Sequence, residues 1–169
     1  MEAQHPNLRL AVFADTHRNI DPVVEIVRGL PPDYLIYHLG DYRADAARIE
    51  QLTGRRMTKV AGNNDYPRSG EDTVIEQLAE GVTLMATHGH RFGVKLDIEQ
   101  LAVSAKHAGA TIVVYGHTHV PAIDTIDGVM LVCPGAFHAS AYMSYAEIII
   151  GETIEPRIIR VDYEDAAVR

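Results

Sequence analysis

The stretch Thr111-Ile112-Val113-Val114-Tyr115-Gly116-His117-Thr118-His119 decides how the rest of the chain is read. Ile112 to Tyr115 has the apolar, β-branched character of a strand buried on both faces, and Gly116 lets the backbone turn where a side chain would obstruct. The strand therefore ends in two imidazoles. His117 and His119 stand two positions apart, close enough to converge on one site, and neutral imidazole is the commonest protein ligand for zinc-like metals. Two idle loop histidines are the bland alternative, so the question is whether other strands end in the same way.

They do. Leu8 to Ala14 reads as a strand that runs into Asp15-Thr16-His17, and Tyr34 to Leu39 delivers Gly40-Asp41. Met57 to Ala61 ends in Gly62-Asn63-Asn64-Asp65, and Val82 to Thr87 ends in His88-Gly89-His90. Helices are expected between these strands. The first begins at Asp21, as cap, with Pro22 at its first position, carries Val23, Val24, Ile26 and Val27 on its apolar face, and stops at Gly29. Another covers Ala44 to Leu52 before Gly54, and a third runs from Val94 to His107, with Leu96, Leu101, Val103 and Ala105 as its apolar positions and Gly109 as its cap. Thr73 to Leu78 pairs with Val82 to Thr87 across Glu80-Gly81, while Asp127-Gly128 joins Ala122 to Ile126 and Val129 to Cys133 as a hairpin. Tyr142 to Ile150 and Thr153 to Val161 are the last strands. Alternation of β and α up to residue 65, followed by mostly antiparallel strands with one βα crossover, predicts one α/β domain over residues 1–169 with two sheets and outer helices.

Composition narrows the function classes. At 169 residues, with 47% apolar and 22% charged residues, the chain has the makings of an ordinary globular core. Fifteen basic against 23 acidic residues give a formal charge of -8, which disfavours an extended nucleic-acid surface. The single Cys133 cannot form an intramolecular disulfide. Met1 to Pro6 has neither the basic nor the apolar segment of a signal peptide, and no run approaches membrane-spanning length. A cytoplasmic location without membrane contact is the expectation.

Five strand ends thus present Asp15 and His17, Asp41, Asn63, His88, and His117 with His119. In open α/β sheets, sites gather outside the carboxyl ends of the strands, so one rule explains all five. Seven oxygen and nitrogen ligands exceed the needs of one tetrahedral ion but suit two ions that share a carboxylate. Two divalent cations bring four positive charges against the two negative charges of Asp15 and Asp41, a deficit that a hydroxide and an anionic substrate fill. Ions about 3.5 to 4 Å apart lower the pKa of a shared water and stabilise in-line displacement at phosphorus. Phosphoryl hydrolysis is the natural chemistry.

Asp15-x-His17, Gly40-Asp41, Gly62-Asn63-x-Asp65, His88-Gly89-His90 and Gly116-His117-Thr118-His119, in this order, resemble the signature of the calcineurin-like metallophosphoesterase superfamily. The short chain, without a cap domain, resembles the small YfcE-type phosphodiesterases, whose relatives include Vps29. The resemblance implies a four-layer αββα sandwich of two mixed sheets flanked by helices. It assigns Asp15, His17, Asp41 and His119 to one ion and Asp41, Asn63, His88 and His117 to the other, with Asp41 as the bridge. The ions implied are of the Mn, Ni, Fe or Zn type, and the substrate is a small phosphate ester, more specifically a diester, attacked directly by the hydroxide between the ions.

The pattern is also broken in places. Asn64 stands where many members carry a histidine; it can donate a hydrogen bond to substrate but cannot titrate. Arg18 replaces a common glycine and is a candidate phosphate clamp, and His90 is a candidate to orient a ligand or the substrate. Cys133-Pro134-Gly135-Ala136 stands where Asn-Pro-Gly-Ser is usual. Asp65 is read as a loop cap, and His138 and Cys133 as structural. The competing function is a protein-binding scaffold of the Vps29 type, against which the intact ligands speak. A nuclease is the third reading, and it lacks the basic surface such substrates want. Homo-oligomerisation is left open.

Overall fold

A computed structural model describes residues 7–65, 70–138 and 142–162. Met1 to Pro6 and the Tyr66-Pro67 segment lie outside the described residues. The amino-terminal half is a βαβαβ unit: β1 (Leu8–Phe13), α1 (Asp21–Gly29), β2 (Tyr34–His38), α2 (Arg43–Thr53) and β3 (Thr58–Lys59). There follow β4 (Thr73–Ala79), β5 (Val82–Thr87), α3 (Glu99–His107), β6 (Ile112–Tyr115), β7 (Ala122–Ile126), β8 (Val129–Cys133), β9 (Met143–Ile150) and β10 (Ile154–Val161). Two five-stranded sheets result, ordered β10-β9-β1-β2-β3 and β4-β5-β6-β8-β7. Both are mixed. β1 runs parallel to β2 and antiparallel to β9, and β6 lies parallel between β5 and β8.

The layers follow from period-two alternation in strands buried on both faces. Leu10 and Val12 of β1 meet Leu84, Ile112, Val114 and Val132 between the sheets. Their neighbours Ala11 and Phe13 turn the other way, onto Val23, Val27, Ala46 and Ile49 of α1 and α2. Val113 and Tyr115 of β6 likewise turn outward onto Leu101, Ala102 and Ala105 of α3. The order is therefore helix, sheet, sheet, helix, and the central strands need apolar side chains at every position from Leu10 to Phe13 in β1 and throughout β6. Among the described residues, no helix is long and apolar enough to cross a membrane.

The expected elements are present, with informative shifts. α3 begins at Glu99, not Val94. Gly93, at φ 66°, closes a short 3-10 turn over His90–Phe92, and the Glu99 N–H is taken by Asp97 Oδ1 at 3.0 Å, so the helix starts only after Asp97. Leu96, read as a helix-face residue, is 92% exposed, and Val103 is half exposed; the buried face is Leu101, Ala102 and Ala105. Asp21 is not the cap of α1, because Val24 N–H already bonds to Ile20 O at 2.9 Å and the cap position falls on Ile20. β3 shrinks to two residues because the chain leaves the sheet: Ala61 N–H bonds to Glu71 O at 2.9 Å, which carries Gly62 and Asn63 toward the second sheet. The Asp127-Gly128 turn has φ of 49° and 83°, the paired left-handed conformation that suits a two-residue hairpin.

Candidate metal centre

The central strands of both sheets point their carboxyl ends at the same place. Asp15 follows β1, Asp41 follows β2, Asn63 follows β3, His88 follows β5, and His117 with His119 follow β6. The backbone there is unusual. Asp15, His17, Arg18, Asp41, Tyr42, His117 and His119 have φ between 44° and 70°, in the left-handed region; among the described non-glycine residues only Asp127, in its hairpin, joins them. Each such residue costs on the order of 1–3 kcal/mol, so the surrounding structure must impose it. Two glycines mark how closely the loops approach. A Cβ on Gly62 would collide with the carboxylate and backbone nitrogen of Asp41, and one on Gly116 would press on Ala14 and Asp15 at 2.9 Å.

Two groups of ligand atoms converge, each spanning less than 4.8 Å: Asp15, His17, Asp41 and His119 in one, and Asp41, His88 and His117 in the other. That span is within reach of an ion with bonds of about 2.1 Å. In the first group, Asp15 is fully buried; its Oδ2 accepts the His117 N–H at 2.9 Å, and its Oδ1 lies 3.1 Å from His119 Nε2. His17 Nε2 sits 3.9 Å from both Asp15 Oδ1 and Asp41 Oδ2, and this buried nitrogen has no hydrogen-bond partner. In the second group, the fully buried His88 donates its Nδ1 proton to the Leu39 carbonyl at 2.7 Å. Its Nε2 lone pair then faces Asn63 Oδ1 at 3.1 Å and Asp41 Oδ1 at 3.4 Å, acceptors all. A cation fits both places: lone pairs converge there with no proton to share, and the His88 anchor is the kind of outer hydrogen bond that orients a metal ligand.

The electrostatics agree with that donor chemistry. Burial alone pushes the Asp15 carboxyl upward, but the imidazoles of His119 and His17, with His88 behind them, outweigh it and hold Asp15 well below the usual carboxylate range. The same contact with Asp15 raises His17 against its burial. Burial, with His88 and Lys95 nearby, pushes His117 down to about 4, so it is neutral at neutral pH.

The remaining expected residues lie around these groups. Asn64 directs its backbone N–H to Asp41 Oδ1 at 2.9 Å and one side-chain amide N–H to Oδ2 at 2.7 Å, so it faces the shared carboxylate. Asp65 is the cap it was read to be: it accepts the Gly62 N–H at 2.7 Å and the Arg43 N–H at 2.6 Å, tying this loop to the start of α2. His90 stands on the second group's side, 5.4 Å from the His88 ring and 6.1 Å from His117, with its buried Nδ1 unpartnered. Arg18 is an exposed rim residue whose guanidinium lies 5.5 Å above the Tyr42 ring. Cys133 is buried under Thr118, its thiol pushed up by burial to about 11, as befits a structural residue.

His138 departs from its structural reading. Its ring lies 5.0 Å from His17 and 5.8 Å from His119, and it is exposed at the rim of the first group. The signal was available, since β8 lies parallel to β6 and the strand-end rule extends to the loop that follows it. Tyr42, 5.1 Å from His17, was also passed over.

Residues 8–153 match the family model of the calcineurin-like phosphoesterase superfamily domain. A protein named as a probable metallophosphoesterase in Mycoplasma pneumoniae is 30% identical over 131 residues, covering 76% of this chain and 78% of its own. A phosphodiesterase of Methanocaldococcus jannaschii is 25% identical over 146 residues, covering 76% of this chain and 83% of its own. The crystal structure of Vps29 from Entamoeba histolytica in complex with Zn2+ superposes with a TM-score of 0.71 at 17% identity, over 91% of this chain and 98% of that one, a likeness of fold.

Proposed function

This chain belongs to the calcineurin-like phosphoesterase superfamily, and from that premise we propose that it is a binuclear metal-dependent phosphodiesterase. The observation that carries the reading is the pair of ligand groups that share Asp41. Asp15, His17, Asp41 and His119 would hold one divalent ion, and Asp41, His88 and His117, with Asn63 beside them, the other. Bound together, such ions lower the pKa of a shared water and neutralise charge that builds on phosphorus. The chain's own part is to fix the geometry. His88 is oriented by the Leu39 carbonyl, Asp41 is pinned by Asn64, and Asp15 is pinned by the His117 N–H. Arg18 and His138 on one rim, and His90 on the other, offer N–H donors to the oxygens of a phosphate ester. A diester suits a site with few donors, and the phosphodiesterase relative supports that choice.

The test is hydrolysis of a chromogenic phosphodiester by protein loaded with Mn2+, Ni2+, Fe2+ or Zn2+. Turnover that disappears in Asp41→Ala is expected; no turnover with any of the four, or full turnover by that variant, would overturn the reading. The second reading, a protein-binding scaffold, draws on the shared fold with Vps29. Metal content of the purified protein separates them: two tightly held equivalents favour the enzyme, and none favours the scaffold.

A further inference from the structure

Beneath the first ligand group runs a chain of buried polar contacts that no ligand role uses. Thr16 and His38 are fully buried, and Asp45 nearly so. Thr16 Oγ1 lies 2.7 Å from Asp45 Oδ2 and 3.1 Å from His38 Nε2. The Gly40 N–H reaches His38 Nδ1 at 3.3 Å, and the Arg18 N–H reaches the same Asp45 oxygen at 2.7 Å. Counting protons leaves one arrangement. The Gly40 N–H can only donate, so His38 Nδ1 accepts and Nε2 carries the ring proton. That proton goes to Thr16 Oγ1, whose own hydrogen goes to Asp45. Burial favours the neutral ring this requires and pushes His38 down to about 4.

The chain therefore has a direction, from Gly40 through His38 and Thr16 to Asp45, and each end meets the ligand loops. Thr16 stands between Asp15 and His17, Arg18 follows His17, and Gly40 precedes the shared Asp41. Asp15, His17, Arg18 and Asp41 are all in the left-handed region, a conformation that needs outside support. Asp45, in the first turn of α2, supplies a fixed anchor. We propose that His38, Thr16 and Asp45 are positioning residues, which hold the Asp15–Arg18 turn against Gly40-Asp41 and so set the cation affinity of the first group without touching cation or substrate. This rests on the metal-centre reading above.

Calorimetric titration with Mn2+ alone tests it, in a His88→Ala background that leaves only the first group complete. Thr16→Val keeps the side chain's shape and removes the hydroxyl; it should weaken Mn2+ binding about 10- to 100-fold, the usual cost of losing an outer hydrogen-bond partner. Thr16→Ser should restore affinity to near the parent's. In the otherwise unaltered chain, the second equivalent should keep its affinity when Thr16→Val is introduced. A general loss of folding predicts neither the rescue nor the selectivity. If Thr16→Val does not fold, Asp45→Asn, which retains an acceptor oxygen, replaces it, with weaker first-group binding as the expected result. Parent-like affinity in the variant, or a serine variant as weak as the valine one, overturns the inference alone. Failure of the unaltered protein to bind Mn2+ overturns the metal-centre reading and this inference with it.

Discussion

The two ligand groups share Asp41 and otherwise differ in how they are held. The first rides on three left-handed residues of its own, Asp15, His17 and His119, against His117 alone in the second, and the side chains of His17 and His119 are 18% and 36% exposed. It contains a second carboxylate, Asp15, and contact with that charge raises the pKa of His17. The second rests on His88, fully buried and clamped to a backbone carbonyl, and on His117, which burial keeps neutral down to about 4. The first group carries an imidazole, His17, that its carboxylate neighbours push upward, whereas burial keeps His117 of the second neutral at neutral pH. One centre thus combines a group made by charge with a group made by burial.

Removing the shared residue should have the largest effect. Asp41→Ala is expected to weaken both Mn2+ equivalents by more than about 100-fold, since loss of an outer partner alone costs 10- to 100-fold. Calorimetry that still finds one equivalent at the original affinity would show that the groups do not share this carboxylate. A smaller, selective effect is expected from His17→Ala and His88→Ala. Each should lose one equivalent by metal analysis and keep the other, and a variant that loses both would end the distinction between the groups.

The mildest test is titration of the metal-free protein. By NMR, the His17 ring should titrate above the ordinary value of 6.5, and His117 near 4. The signs for stability are opposite. A raised His17 contributes stability that is present below its unfolded value and lost as pH rises through its folded value. His117 and His38, both held neutral, refuse protons that the unfolded chain takes up, so their contribution falls as pH drops from about 6.5 toward 4. For the fully buried His38 the slope is at most about 1.4 kcal/mol per pH unit. The melting temperature of the metal-free protein should therefore decline on acidification through this window. Coincident titration of His17 and His117 would remove the electrostatic half of the comparison.

How the fold could be read so far in advance has a physical reason. β6, and β1 from Leu10 onward, are buried on both faces, so their apolar runs there are uninterrupted, and a polar residue just beyond such a run marks a carboxyl end of a sheet. That rule places Asp15, Asp41, His88 and His117 without any knowledge of distance. It fails where contacts are nonlocal or the pattern is weak. Asn64 reads as a free donor, and only the approach of its loop to Gly40-Asp41 commits it to Asp41. Thr16 and His38 look like a spacer and a strand residue, because nothing in their spacing shows that they meet each other and that Thr16 meets Asp45. Leu96 fits a helical stripe by sequence, yet the Gly93 turn and the bond from the Glu99 N–H to Asp97 leave it in solvent, ahead of the helix.

The order of strands in the sheets has a consequence for folding. The second sheet is a contiguous block from β4 to β8, whereas the first joins the beginning of the chain to its end, with Leu8 paired to Ile150. Closing that pairing costs more loop entropy than any hairpin in the second sheet, so it is expected to form after those hairpins. Each ligand group takes residues from both sheets. Cation capture during refolding would therefore report the packing of one sheet on the other, lagging behind any probe that reports only the hairpins.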